Sequence, residues 1–119
     1  MDLIGNITGF QHLGIPVPDL EESVSFYEGL GFRVDVRSEL EEGGGTTHIA
    51  FMVLGGFTLE LYQPAGGPPH GGEAGAIDHF TLDVRDIEAA WKHCRVSGYR
   101  IVEDAPVYLP IHRNGVKFF

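Results

Sequence analysis

One cysteine in 119 residues excludes an intrachain disulfide framework. Basic residues are scarce as well: 8 Lys and Arg stand against 17 Asp and Glu, a formal net charge of −9. Such a chain repels nucleic acid and the anionic leaflet of a membrane, and no Lys/Arg cluster offsets the repulsion locally. The opening MDLIGNITGF has neither a basic n-region nor an apolar h-region, and no apolar run approaches the roughly 18–20 residues that span a bilayer. A soluble, cytoplasmic protein that binds neither nucleic acid nor membrane is the expectation. With 43% hydrophobic residues the composition is that of an ordinary globular domain, and the length suits one domain, 1–119.

What the chain does have is a gapless internal repeat. Residues 12–34, HLGIPVPDLEESVSFYEGLGFRV, lie over residues 79–101, HFTLDVRDIEAAWKHCRVSGYRI, at a constant offset of 67. The register matches His12 with His79, Asp19 with Asp86, Gly31 with Gly98 and Arg33 with Arg100. Self-similarity at a fixed offset means one supersecondary unit used twice, so chemistry in the first copy predicts chemistry in the second.

The periodicities give each copy its elements. FQHLGIPV alternates like a strand and stops at Pro18-Asp19. Asp19 is placed to cap a helix, with Glu22 completing a capping box and Leu20, Val24 and Tyr27 forming its apolar stripe. After Gly29 and Gly31, FRVDVRSE reads as a strand, EEGGGTT as a loop, HIAFMVL as a strand, Gly55-Gly56 as a tight turn and FTLELYQ as a fourth strand. The second copy opens with AIDHFTLDV as a strand and continues with a helix capped by Asp86, which buries Ile87, Ala90, Trp91 and Cys94 and closes near Gly98. YRIVED is read as the next strand, and GVKFF aligns with IAFM of the first copy. Module one therefore covers 7–64, a Gly/Pro linker 65–76, and module two 77–119. The Gly43–Gly45 run has no Lys-Ser/Thr behind it, so it does not read as a phosphate cradle.

Strand alternation then tests the paired histidines. His12 and Gly14 face one way and Leu13 and Ile15 the other; Thr58, Glu60 and Tyr62 oppose Phe57, Leu59 and Leu61; His79 and Thr81 oppose Phe80 and Leu82. The apolar side suits the two amphipathic helices. The polar side gathers two imidazoles and a carboxylate, a donor set for a borderline divalent metal such as Zn, Ni, Co or Fe(II). Metal ligation by His12, Glu60 and His79 is the expectation. Glu60 plus 67 is position 127, beyond Phe119, so the second copy is expected to lack its last strand, and with it a fourth ligand.

The segments FQHLGIPVPDLEESVSFYEGLGF, FTLELYQP and IDHFTLDVRDIEAAW resemble the vicinal-oxygen-chelate superfamily, also called the glyoxalase, bleomycin-resistance and dioxygenase superfamily. The likeness covers nearly the whole chain. It implies an α+β fold in which two βαβββ modules form a cupped mixed sheet around a metal, the second module here without its last strand. Within the superfamily the chain resembles glyoxalase I, lactoylglutathione lyase, whose ligands map onto His12, Glu60 and His79. That resemblance implies a lyase or isomerase that turns the hemithioacetal of a 2-oxoaldehyde such as methylglyoxal and a thiol, glutathione or a similar one, into a 2-hydroxyacyl thioester. The metal would be Ni, Co or Zn, Glu60 both ligand and catalytic acid/base, and the protein a homodimer. Methylmalonyl-CoA epimerases resemble the first helix too, but usually carry an amide at the place of Glu60. The alternatives are another metalloenzyme of the scaffold (an Fe-dependent extradiol dioxygenase, an epimerase or an antibiotic-modifying thiol transferase) and a non-catalytic drug-binding module.

The remaining histidines, His48, His70, His93 and His112, read as solvated. Cys94 reads as a small core residue, and Arg33 and Arg100 as structural residues near the helix ends.

Overall fold

The structure, a computed structural model, describes residues 2–68, 79–111 and 113–119. Two compact units divide the chain: Gln11–Thr81 form the larger, and residues 1–10 with 82–119 the smaller. The fold is α+β with a mixed sheet, as the sequence implies.

Strand β1 spans Ile7–Pro16, helix α2 Leu20–Gly29, and strands β2, β3 and β4 span Arg33–Glu42, Gly45–Leu54 and Phe57–Gln63; β5 is His79–Val84. A four-residue helix α1, Leu3–Asn6, precedes β1. The strand order is β2-β3-β4-β1-β5, with β4 antiparallel to β3 and parallel to β1. A parallel neighbour needs a crossover, which α2 and the β2–β3 hairpin supply.

Helix α2 begins and ends where local chemistry dictates. The Asp19 carboxylate accepts a hydrogen bond from the Glu22 N–H at 3.1 Å, while Gln63 Oε1 accepts from the Leu20 N–H at 2.8 Å. At the other end the Phe32 N–H reaches the Tyr27 carbonyl and the Gly31 N–H the Glu28 carbonyl, a Schellman closure that holds Gly31 at φ 100°. The Tyr27 and Phe32 rings pack edge to face at 5.4 Å across that closure. Leu20 and Val24 bury the helix face against Val17, Ala50, Met52 and Leu61. Burial of each large aliphatic side chain contributes about 1.5–3 kcal/mol. Ala50, Met52 and Leu61 of β3 and β4 are thereby packed with α2.

The segment EEGGGTT is strand rather than loop over most of its length. Glu42 pairs with Gly45, leaving only Gly43 and Gly44 as the turn, at φ 59° and 79°. Two consecutive positive-φ residues make the primed turn whose twist matches a two-residue hairpin, and glycine enters it without strain. Thr46 and Thr47 donate to Glu41 and Glu42 across the strands and lock the register.

In the smaller unit, α3 spans Ile87–Val96 and repeats the local chemistry of α2. Asp86 accepts from the Ala89 N–H at 3.0 Å, and the Tyr99 N–H reaches the Cys94 carbonyl past Gly98 at φ 83°. Asn6, 1% exposed, grips the backbone of Asp86 from both sides, donating to its carbonyl and accepting from its N–H.

Past Tyr99 the expected strand YRIVED is absent. The Glu103 carbonyl accepts from the Trp91 indole instead of a ladder partner, and Val102 is 83% exposed. The strands here are β6, Val107–Leu109, and β7, Val116–Phe118, paired antiparallel as a separate two-stranded sheet. Val34 pairs with Met52, which at an offset of 67 would set Ile101 opposite Phe119; Val107 pairs with Phe118 instead. The repeat thus holds through the helix and its closure and ends before the hairpin.

Candidate metal centre

The polar face of the larger unit is built by register. Gly14 of β1 and Phe51 of β3 flank Glu60 of β4 on its two sides. His12 lies two residues before Gly14 on the same face, and β5 adds His79. All three expected residues meet: one donor atom from each of His12, Glu60 and His79 lies within 4.8 Å of the others.

His79 Nε2 is 3.0 Å from Glu60 Oε1, and His12 Nε2 is 3.7 Å from the same oxygen. The two Nε2 atoms are 3.2 Å apart, and the Thr81 hydroxyl stands 3.2 Å from His12 Nε2. His12 Nδ1 meets Gln11 Oε1. An amide oxygen only accepts, so His12 Nδ1 carries a proton. Phe51 stands edge-on to His12 at 5.5 Å between ring centroids, and Tyr62 lies 5.8 Å from His79.

His12 and Glu60 are buried and His79 is partly exposed. Burial by itself would raise the Glu60 pKa, but hydrogen bonds and charge from His12 and His79 outweigh it and bring it down to about 2. The site therefore presents an ionised carboxylate beside two imidazole nitrogens. That donor set fits a divalent ion: hard oxygen, borderline nitrogen, and a short common reach.

Several neighbours escaped sequence reasoning. Phe51 was readable only as a strand residue, although its pairing with Glu60 follows once the β3–β4 turn is known. Gln11 gave no signal, because its contact with His12 depends on side-chain direction. Of the other histidines, His48 faces Glu39 at 3.2 Å, partly exposed, and His93 is half-buried in α3. His70, His112 and the linker from 69 onward lie outside the described residues. Cys94 is half-buried, and Arg33 is exposed with Asp35 at 3.8 Å. A cavity of about 640 Å³ beside Arg37, Glu39 and His48 shares no residue with the triad.

The profile of the Glyoxalase/Bleomycin resistance protein/Dioxygenase superfamily matches residues 9–116, and the chain belongs to that superfamily. The chain is 32% identical over 114 residues to the ethylmalonyl-CoA/methylmalonyl-CoA epimerase of Cereibacter sphaeroides, covering 90% of this chain and 84% of that protein. It is 34% identical over 94 residues to the human mitochondrial methylmalonyl-CoA epimerase, covering 73% of this chain and about half, 52%, of that protein. Among solved structures, methylmalonyl-CoA epimerase from Mycobacterium tuberculosis has the same fold, with a TM-score of 0.73 at 21% identity over 92% of this chain and 75% of that one.

These relatives overturn the glyoxalase I expectation and with it the hemithioacetal, methylglyoxal and glutathione. The physical reason lies in the triad itself. Two imidazoles and a carboxylate can hold an ion that polarises a carbonyl whichever carbon acid is bound, so Glu60 alone does not separate a hemithioacetal from an acyl thioester. The superfamily stands; the lyase reaction does not. No helix among the described residues is long and apolar enough to cross a membrane.

Proposed function

We propose that this chain is a metal-dependent epimerase that inverts the carbon between the carboxylate and the thioester carbonyl of a 2-alkylmalonyl thioester of coenzyme A. One observation carries the reading: relatives at 30–34% identity are named for that epimerisation, and this chain assembles a three-donor cluster suited to carbonyl activation. The chemistry asks for little more. Only a C–H bond breaks and re-forms, so a proton leaves one face of C2 and another returns to the opposite face, with the electron pair held on the thioester oxygen in between.

His12, Glu60 and His79 are the residues that would hold a divalent ion, with Co(II), Ni(II) and Zn(II) as the borderline choices. A bound ion would supply electrostatic stabilisation for the charge that develops on the substrate oxygen. Gln11 keeps His12 in the tautomer whose Nε2 can ligate. Glu60 stays ionised at neutral pH, which suits the ligand role.

The test is incubation of the protein with one epimer of methylmalonyl-CoA in deuterated water, with Co(II), Ni(II) and Zn(II) added separately. Uptake of one deuterium at C2 together with loss of optical purity is the expected result. Absence of both with all three metals overturns the reading.

A further inference from the structure

Gly14 and Thr81 occupy equivalent places in the repeat, each two residues after the histidine that opens its copy, 67 positions apart. The structure crosses them. A Cβ added at Gly14 would fall on the His79 imidazole, whose Cε1, Nε2 and Nδ1 are its three closest atoms. The Thr81 hydroxyl, for its part, meets Nε2 of His12. Each histidine thus reaches over to the position two residues past the other histidine. Only at position 14 is that position empty.

The asymmetry has a consequence for Glu60. His79 contacts Glu60 at 3.0 Å by lying over β1 at Gly14, the direct register neighbour of Glu60. Any side chain at 14 would occupy the space of the ring that makes this contact. His12 needs no such vacancy, since its ring rises from β1 itself, with Phe51 standing edge-on to it.

We infer that Gly14 is a positioning residue of the triad, because it leaves the room that His79 occupies. This rests on the metal-site reading for its consequence in affinity and on geometry alone for its cause. Sterics make the effect of a side chain at 14 large, because a misplaced ring removes a ligand.

The experiment is a set of variants read by Co(II) titration, followed in the visible absorption of the ion, and by thermal melting without metal. Gly14→Ala should weaken Co(II) binding as far as His79→Ala does, by at least about 100-fold, given that outer-partner losses are 10–100-fold. Gly56→Ala, whose Cβ meets open space, should change nothing. Without metal, Gly14→Ala should lower the melting temperature of the natural protein but not of His79→Ala, where the ring that blocks the Cβ is gone. If Gly14→Ala binds Co(II) like the natural protein, or lowers the melting temperature equally in both backgrounds, the inference fails. If the natural protein binds no metal yet the melting cycle shows the coupling, the metal reading fails and the positioning of His79 by Gly14 stands.

Discussion

Helices α2 and α3 start and stop by the same bonds yet bury very different faces. Each has an aspartate cap bonded to an N–H three residues on, and each closes on a positive-φ glycine whose successor reaches back five residues. Leu20 and Val24 are buried in α2, whereas Ala90 is the buried residue of α3, with Trp91 and Cys94 only half-covered. The contrast continues downstream. Strands β2 and β3 are ten residues long each, β6 and β7 three. Equal local signals produced equal local structure, and what each helix buries depends on the sheet it meets.

The sharpest break in that comparison is at the repeated histidines. His79→Ala should strip bound Co(II) from the protein, whereas His93→Ala in α3 should retain it; metal analysis after gel filtration checks both, and equal retention would refute the ligand assignment. In the core beneath α2, Met52 is fully buried, so Met52→Ala should cost about 2–5 kcal/mol in urea unfolding. Val102→Ala, at 83% exposure, should fall within about 0.5 kcal/mol of zero. The smaller unit has its own critical contact: Asn6→Ala leaves the Asp86 N–H and carbonyl without their amide partner and should cost about 1–3 kcal/mol. The matched closures fall between the losses at Met52 and Asn6 and the small effect at Val102. Gly31→Ala and Gly98→Ala should each cost about 1–2 kcal/mol, the strain of an L-residue at positive φ. Unequal costs in the same denaturation assay would show that the two closures are not equivalent.

The helices were legible because their signals are local. Asp19 and Asp86 cap, Gly31 and Gly98 release, and the apolar spacing between them needs no partner to be read. The triad was legible for a related reason: alternation in β1, β4 and β5 assigns faces strand by strand, and the repeat ties His12 to His79. The hairpins were harder. EEGGGTT has the composition of a loop, and only the pairing of Glu42 with Gly45 shows that two glycines suffice for the turn. YRIVED has the composition of a strand, but strand formation needs a ladder, and there Trp91 takes the Glu103 carbonyl. The reaction was misread because a single carboxylate was asked to distinguish carbon acids that make the same demand on it.

By itself the sequence determined the caps, the helix ends and the faces of β1, β4 and β5 on which the three expected donors His12, Glu60 and His79 stand, since each follows from bonds or alternation within a few residues. Tertiary structure decided how those donors meet. The parallel pairing of β1 with β4 sets Gly14 beside Glu60, and the vacancy at Gly14 admits the ring of a histidine 65 residues away in the chain. Distances of that kind depend on which strands become neighbours, and strand neighbours are chosen by the packing of α2 on the sheet rather than by any local run of residues.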